Sequence, residues 1–287
     1  MPAAEIQTMT DILRNPEPSD VVKAIEANTI ESLLTWTKWA KIELHQDADL
    51  VWMTSDIPYF LYNLAFPTKS ALVAPESFIE TAIASAGLRD TPIGCWVGPF
   101  SPQSEFGDHL VARGFIHGAT MTAMAVDLST LNEHAPMPQG FVISEVKSMD
   151  DLVTWCQIMT TVSEFPDFAA AAFLEMYRDI GICGDPDWRL YLGAVDGAPV
   201  GTSSLFFNAG VAGIHSVATV PEFRGLGIGT ALTRSPLLDV RRQGYEIGVL
   251  YSSEMAVGLY RDIGFQEYGQ GHVYLWQPDE REPALQS

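Results

Sequence analysis

The sequence is poor in basic residues, with 16 Lys and Arg against 36 Asp and Glu, so its formal net charge is −20. Both halves contribute equally, because residues 1–138 and residues 139–287 each carry −10. A surface of this sign repels phosphate groups, which argues against nucleic acid and anionic membranes as partners. The same charge would attract a cationic substrate, although it also serves solubility alone.

Cysteine is scarce as well, with three scattered residues at positions 95, 156 and 183. An odd, scattered set argues against a disulfide scaffold, and without CxxC or HExxH motifs we expect no metal site. No apolar run approaches the roughly 18 residues that a membrane-spanning helix needs. The first 15 residues are polar and lack the apolar core of a secretory leader, so we expect a cytoplasmic protein.

The length of 287 residues and the 47% hydrophobic content predict two folded domains, each with a core of its own. The clearest boundary is LNEHAPMPQG at 131–140, where two prolines and polar residues separate apolar segments. We therefore predict an N-terminal domain over 1–134 and a C-terminal domain over 139–287.

The two halves share a weak repeat. In the first, GCWVGPF (94–100) precedes a helical stretch, Gly114-Phe115 and the alternating MTAMAVDL (121–128). In the second, IGVLYSS (247–253) precedes a helical stretch, Gly264-Phe265 and HVYLWQ (272–277). The shared order is strand, short helix, Gly-Phe, strand, which arises either from shared structure or by chance.

The N-terminal half opens with helical patterns. Ser19 is a plausible N-cap for one segment, and a second apolar face follows from Ile30 to Ile42. Trp36, Trp39 and Trp52 either line a ligand pocket or pack in the core, and their helical spacing favours the core.

The C-terminal half is easier to interpret. Residues 140–146 alternate like a strand, and two amphipathic helices follow, separated at Pro166. Two alternating runs around Asp196-Gly197 predict a β-hairpin, and a third strand occupies 211–220. The whole order is β-αα-β-β-β-α-β-α-β, which predicts an α/β fold with a mixed sheet flanked by helices.

The segment most suggestive of chemistry is VPEFRGLGIGTAL at 220–232, where a strand leads through alternating glycines into a helix. Glycines at a helix start let the backbone approach a ligand, and the free amides with the helix dipole form an anion site suited to pyrophosphate. The plainer interpretation is a glycine turn between two elements.

Two other phosphate loops fit poorly. A Walker A loop needs Gly-Lys-Ser/Thr, but no lysine follows Lys147. A dinucleotide fingerprint needs GxGxxG, whereas the third glycine here is Gly229, one place early.

The segment VATVPEFRGLGIGTAL closely resembles the acetyl-CoA motif of the GNAT superfamily of N-acyltransferases, whose signature is Gln/Arg-x-x-Gly-x-Gly/Ala. Here the signature falls on Arg224, Gly227 and Gly229. DGAPVGTSSLFF (196–207) resembles the hairpin that usually precedes the motif. EMAVGLYRDIGF (254–265) resembles the second motif, in which an aromatic residue on a helix precedes Gly-Phe.

The resemblance covers about 140–277 and implies a tandem GNAT-like fold. The first half looks like a degenerate copy, because it lacks the glycine loop and has Leu110 where the second copy has Tyr260. That copy is not expected to bind acetyl-CoA in the usual way, and a structural or substrate-shaping role is favoured. The resemblance also implies these acetyl-CoA contacts: Val217, Ala218, Thr219, Arg224, Gly225, Gly227, Ile228, Gly229, Thr230 and Ser253.

Direct transfer of an acetyl group from acetyl-CoA to an amine is the reaction that the resemblance implies. Tyr260 occupies the place of the general acid that protonates the departing thiolate, and a phenol stays protonated at pH 7. His215 is a candidate base, with a strand histidine of structural role as the alternative. Glu164 and Asp167, at the predicted break between two helices, are alternative groups for attracting the amine.

Two positions depart from the family pattern. Ser253 replaces the frequent Asn before the tyrosine, which puts that acetyl-CoA contact in doubt. Pro236 falls inside the helix after the loop, where it is expected to kink or shorten the helix beyond its first two turns.

We expect a small-molecule or amino-acid amine as the acceptor, acetyl-CoA as co-substrate and no metal, and leave a homodimer open. Two alternatives are a non-catalytic acyl-CoA-binding or regulatory protein on the same fold and a protein N-acetyltransferase.

Overall fold

The computed structural model describes residues 12–47, 50–68, 75–99, 103–133 and 137–278. Within these ranges the α-helices are α1 (Pro18–Leu34), α2 (Pro75–Arg89), α3 (Gln103–Ala112), α4 (Met149–Val162), α5 (Asp167–Asp179), α6 (Ile228–Arg241) and α7 (Val257–Ile263). The strands are β1 (Glu43–Gln46), β2 (Leu50–Thr54), β3 (Leu64–Pro67), β4 (Ile93–Val97), β5 (Ile116–Asp127), β6 (Phe141–Glu145), β7 (Trp188–Val195), β8 (Ala198–Asn208), β9 (Val211–Thr219), β10 (Ile247–Ser253) and β11 (Gln266–Trp276).

The chain forms two compact units, and each combines separate stretches of sequence. Unit 1 comprises residues 1–31 and 123–268, and unit 2 comprises residues 32–122 and 269–287. This division differs from the predicted domains 1–134 and 139–287, because the N-terminal helix packs in unit 1 and the end of β11 pairs with β4 in unit 2. The predicted linker falls partly on residues 134–136, which lie outside the described residues.

Unit 1 contains the sheet order β5-β10-β9-β8-β7-β6. β6, β7, β8 and β9 are antiparallel neighbours, whereas β9 and β10 run parallel. From β6 onward, strands and helices follow the predicted β-αα-β-β-β-α-β-α-β order, so the mixed α/β architecture is confirmed. The hairpin turn has left-handed Asp196 (φ 49°) and Gly197 (φ 83°), as its Asp-Gly sequence predicts.

Side chains from both faces of this sheet are buried. On one face, Leu205, Ile214 and Leu250 pack with Leu237 of α6 and Tyr260 of α7. Another buried cluster joins α1 to the sheet through these members: Val21, Ala24, Ile25, Ala123, Ala125, Ala209, Val211 and Val249. The first cluster anchors α6 and α7 to the sheet, and the second places α1 beside β9 and β10.

Pro236 lies inside α6, and the helix continues to Arg241 rather than ending at the proline. A proline has no N–H to donate to the carbonyl four residues earlier, which here belongs to Leu232. The Ser203 hydroxyl of β8 donates to that carbonyl oxygen at 2.9 Å. A hydrogen bond from the sheet therefore replaces the one that the helix loses. This bond also links α6 to β8.

Unit 2 contains the sheet order β1-β2-β3-β4-β11. Its buried core includes Phe78 and Ala82 of α2, Phe106 and Leu110 of α3, and Ile93 of β4. Trp36 and Trp39 are buried near Tyr62, with ring centroids 5.9 and 6.4 Å away, which confirms the core interpretation for both. Trp52 is only partly buried and stacks on His45 at 5.0 Å beside a groove that both residues line.

The repeat predicted around the two Gly-Phe pairs is present in the structure. Strand, helix, Gly-Phe and strand occur as β4, α3 and β5 in one copy and as β10, α7 and β11 in the other. Gly114 and Gly264 both have positive φ, 88° and 115°, and the Phe after each donates its N–H to the carbonyl five residues earlier. Each helix ends at a glycine in the left-handed conformation, which explains why a Gly-Phe pair occurs in both copies.

The N-terminal helix differs from its prediction. It begins at Pro18, so Ser19 lies in the first turn instead of capping it, and the chain remains helical through Leu34 without a second start. Proline suits the first helical position because the N–H that it lacks has no partner within the helix there. Within the described residues, no helix combines the length and apolar character needed to cross a membrane.

Candidate active site

The parallel strands β9 and β10 separate towards their carboxyl ends. Their pairing joins Gly248 to Ala212 and Val249 to Gly213, and no later residues of these two fully described strands pair with each other. β9 continues six residues beyond Gly213, to Thr219, and stays paired with β8. The backbone edge of Val217, Ala218 and Thr219 that faces β10 is therefore free of ladder hydrogen bonds, in the kind of crevice where α/β proteins bind ligands.

A β-bulge shapes the same stretch of β9. The register with β8 shifts between Thr202 and Ser204, and Ser216 adopts a left-handed φ of 53°. Two side chains of β8 brace the bulge, since Thr202 Oγ1 donates to the Ser216 carbonyl at 2.9 Å and Ser204 Oγ to the His215 carbonyl at 3.2 Å. Bulges of this kind re-aim backbone groups beside active sites.

The glycine loop ends where α6 begins. Gly225 (φ 78°) and Gly227 (φ 80°) are left-handed and exposed, and Gly227 is the residue before the helix. A Cβ on Gly225 would meet no atom within 4 Å, so space in front of the helix is open to a ligand. The first amides of α6, those of Ile228, Gly229 and Thr230, have no carbonyl partner within the helix. Backbone amides and the helix dipole thus make this end of α6 suitable for the pyrophosphate of CoA.

Arg224 adds a full positive charge beside these amides. Its side chain is exposed, and its Nε donates to the Thr219 carbonyl at 3.2 Å, so the arginine is tethered to the end of β9. The tether uses one of the five N–H groups of the guanidinium, which leaves the terminal nitrogens to approach an anion. The loop thus concentrates positive potential locally in a chain whose net charge is −20.

Gly229 lets α7 approach the first turn of α6. A Cβ at this position would lie 3.2 Å from Leu259 Cδ1, so the Leu259 side chain of α7 would have to shift to make room. Leu259 is followed by Tyr260, which is 7% exposed and packs edge-on to Phe265 at 5.7 Å. The structure therefore brings Tyr260 close to the first turns of α6.

The environment of Tyr260 keeps its hydroxyl protonated. Burial raises the pKa of Tyr260 to about 12, and the nearby Thr233 hydroxyl opposes part of that rise. Thr233 itself donates to the Gly229 carbonyl at 2.9 Å, within the first turns of α6. A phenol with this pKa is a hydrogen-bond donor throughout the neutral range.

His215 lies on β9, beside the bulge and next to the point where β9 and β10 part. Its imidazole is half-buried, with the rings of Trp188 and Phe206 at 6.0 and 6.5 Å, and its Nε2 is 3.0 Å from Asn28 Oδ1. Burial among these aromatic rings lowers the pKa of His215 to about 4, so the ring is neutral at pH 7.

This shift predicts that His215 makes folding sensitive to acid. Because its pKa is lower in the folded chain than the ordinary 6.5, the unfolded chain binds the proton more readily, and stability falls as the pH drops from 6.5 through 4. The loss is on the order of 3 kcal/mol over the whole interval. Urea unfolding at several pH values should show a flatter pH dependence in His215→Gln than in the wild type. His109→Gln, at an exposed position, serves as the control for replacing a histidine by glutamine. Equal slopes for all three proteins would contradict the burial of a neutral ring.

The remaining predicted site residues lie on exposed surface. Ser253 ends β10 at the open side of the crevice, and its hydroxyl caps no helix. Glu164, with a left-handed φ of 52°, and Asp167, which starts α5, lie at the break between α4 and α5, as predicted. Nothing in their surroundings assigns either a role in the reaction.

Two residues of α1 that the sequence did not suggest belong to this side of unit 1. Asn28 is fully buried and contacts His215, and burial raises the pKa of Glu26 to about 7. Burial raises the pKa of Tyr251 of β10, and the charge of nearby Glu26 raises it further. No local pattern signals either residue, because their partners are far along the chain.

Comparison with known proteins agrees with this geometry. Residues 151–265 match the model of the acetyltransferase (GNAT) family. The matched segment runs from α4 through α7 to Phe265, and it is the region in which the sequence resembles the GNAT family. Members of that family generally use acetyl-CoA, and the loop, the crevice and Tyr260 all lie inside the matched segment.

Three similar proteins illustrate the breadth of the likeness. Human N-acetyltransferase 8B is 43% identical over 58 residues, 19% of this chain and only about a quarter (26%) of the human protein. A GCN5-related N-acetyltransferase from Kribbella flavida has a TM-score of 0.66 at 18% identity, covering 88% of this chain and 96% of its own. A tandem GNAT protein from the clavulanic acid biosynthesis pathway has a TM-score of 0.57 at 14% identity, covering 94% and 92%. The last two show the fold, including its tandem form.

Proposed function

We propose that unit 1 transfers an acetyl group from acetyl-CoA to the amine of a small molecule or amino acid, without a covalent enzyme intermediate. The observation that supports this most is the juxtaposition of an open glycine-lined helix start with the crevice between β9 and β10. The helix start suits the pyrophosphate, and the unpaired edge of β9 suits the amide-bearing pantetheine arm. Both features lie in the segment that matches the GNAT family.

In the proposed reaction, the amine nitrogen attacks the thioester carbonyl carbon, and negative charge develops on the carbonyl oxygen. Amide groups on the free edge of β9, at Val217 to Thr219, are the donors that would stabilise that charge. The carbon–sulfur bond then breaks, and the electron pair stays on sulfur.

One side chain donates a proton to the leaving sulfur, and another accepts a proton from the attacking nitrogen. The thiolate takes a proton from the Tyr260 hydroxyl, whose buried position keeps it protonated until sulfur becomes negative. The nitrogen that has attacked is cationic and much more acidic than a free ammonium, so neutral His215 accepts its proton although the pKa of this histidine is low. The products are the acetylated amine and free CoA, and exchange with solvent then removes the proton from His215 and returns one to Tyr260.

Ligand-dependent unfolding tests the first part of the proposal. Acetyl-CoA at about 100 times its Kd should stabilise the protein by about 2.7 kcal/mol, which raises Tm by roughly 5–10 °C. CoA should have a similar effect, and adenosine a smaller one because it lacks the pyrophosphate. No shift with either acetyl-CoA or CoA would contradict the assignment of the helix start.

A screen of amines by release of free thiol tests the second part. Turnover with small amines or amino acids supports the proposal, whereas turnover only with peptides points to a protein N-acetyltransferase. Stabilisation by acetyl-CoA without turnover on any amine points to a binding or regulatory protein.

A further inference from the structure

Asn28 of α1 makes three hydrogen bonds beneath the crevice. Its Nδ2 donates to the carbonyl oxygens of Phe206, at 3.1 Å, and Asn208, at 3.3 Å, near the end of β8. Its Oδ1 lies 3.0 Å from Nε2 of His215 on β9. The side chain is completely buried, so solvent does not compete with these contacts.

The carbonyls of Phe206 and Asn208 determine the orientation of the Asn28 side-chain amide. A carbonyl oxygen only accepts hydrogen bonds, so the group facing Phe206 and Asn208 must be the NH₂ group, which has two hydrogens to donate. A flipped amide would instead direct its own oxygen at two carbonyl oxygens. The atom that faces His215 is therefore an oxygen.

An oxygen acceptor determines the tautomer of His215. The Asn28 oxygen has no hydrogen to give, so Nε2 of the imidazole must carry one and donate it. A neutral ring then holds its lone pair at Nδ1. Among the described residues, no group forms a hydrogen bond with Nδ1, which leaves that lone pair available.

Gly213 makes room for this arrangement. A Cβ at position 213 would lie 1.9 Å from Asn28 Oδ1 and 2.7 Å from His215 Nε2, so any side chain would displace the hydrogen bond. Gly213 is also the last residue of β9 that pairs with β10. The Asn28–His215 contact thus lies directly at the point where the crevice opens.

We propose that Asn28 is a positioning residue that holds His215 as the Nε2–H tautomer, so that Nδ1 takes up the proton of the attacking amine. This role rests on the proposed acetyl transfer, whereas the tautomer itself does not depend on any activity. It gives α1, which precedes the GNAT segment by more than a hundred residues, a specific part in the reaction.

Nitrogen-15 NMR of histidine-labelled protein at pH 7 tests the tautomer directly. In the wild type, His215 should show a protonated Nε2 with slow hydrogen exchange and an unprotonated Nδ1. In Asn28→Ala the two nitrogen shifts should move towards each other, and the Nε2 proton should exchange rapidly. A wild-type ring protonated at Nδ1, or an unchanged ring in Asn28→Ala, overturns the proposal even if the enzyme is active.

Asn63 provides a matched control in unit 2. It is also buried, and its Nδ2 donates to the carbonyls of Ile57 and Tyr59 at 2.9 and 3.2 Å while its Oδ1 accepts from the Ser55 N–H. Asn63→Ala therefore removes an equivalent network and should leave the His215 signals as in the wild type. A change of equal size in Asn63→Ala would mean that loss of stability, and not loss of the partner, alters the ring.

A double-mutant cycle tests the catalytic consequence. Asn28→Ala should lower kcat roughly 10- to 100-fold with KM for acetyl-CoA within about twofold, because only the proton acceptor is disturbed. In a His215→Gln background, Asn28→Ala should lower kcat no further, because the two residues act through one proton transfer. Additive losses would overturn the positioning role. If the wild type acetylates no amine, the proposed function fails, and the NMR result still decides whether Asn28 sets the tautomer.

Discussion

Replacing Tyr260 by Phe is expected to lower kcat by roughly 10²- to 10⁴-fold while changing the Kd of acetyl-CoA by less than about threefold. The substitution removes only the hydroxyl, so the ring still packs against Phe265 and the contact between α7 and α6 is kept. Without the phenol, the thiolate must leave unprotonated or take its proton from water. Stopped-flow measurement of thiol release, under conditions where chemistry limits the rate, gives the relevant constant.

Tyr245→Phe is the matched control for this experiment. Tyr245 is a partly buried tyrosine that packs on the same core of unit 1 and contacts Phe207 at 5.2 Å. Its hydroxyl has no part in the proposed reaction, so kcat should remain within about twofold of the wild type. An unchanged chemical rate in Tyr260→Phe would remove the tyrosine from the mechanism and leave proton delivery to solvent.

The second large effect is expected at the start of α6, where Gly227→Trp should weaken acetyl-CoA binding by roughly 10²-fold or more. Gly227 is exposed, has a φ of 80° and directly precedes the first free amides of the helix. An indole at this position would cover those amides and occupy the space of the pyrophosphate. Isothermal titration with acetyl-CoA and with CoA measures the loss, which should be similar for both ligands because they share the pyrophosphate.

Gly197→Trp separates the loss of binding from the backbone strain. Gly197, in the turn between β7 and β8, has nearly the same φ, 83°, and a Cβ added there would meet no atom within 4 Å. A tryptophan in a left-handed conformation costs roughly 1–2 kcal/mol at either position. Both variants should therefore lose similar stability, but only Gly227→Trp should lose affinity. Wild-type affinity in Gly227→Trp would exclude this helix start as the acetyl-CoA site.

The elements around the glycine loop were predictable because each has a local pattern. β10 has the predicted bounds and β9 ends one residue before its predicted end, while the β7–β8 hairpin and α6 lie where the Asp-Gly turn and the glycines predict them. Of the two effects expected at Pro236, shortening of the helix does not occur, and the sequence does not reveal that Ser203 would satisfy the carbonyl that the proline leaves open.

The acceptor side of the site was not predictable in the same way. Asn28 and His215 are 187 residues apart, and neither belongs to a motif that mentions the other. Their contact depends on how α1 packs on the sheet and on the missing side chain of Gly213, which are properties of the tertiary structure. Glu26 was not predictable either. Its raised pKa results from burial, and sequence periodicity does not show how deeply a residue is buried.

The interleaved composition of the two units has a consequence for how the protein is made. Residues 12–31 are synthesised early, but their partners in unit 1 begin at residue 123. The contacts of α1 in unit 1 therefore form only after the intervening segment of unit 2 has been synthesised. Unit 2 in turn lacks its last strand partner until residues 272–276 are synthesised. Contacts between such distant segments slow folding, because a long loop must close before they form. We therefore expect neither half of the chain, cut at the 131–140 linker, to fold as a complete unit, and we expect the segment that matches the GNAT family to need α1 of its own chain.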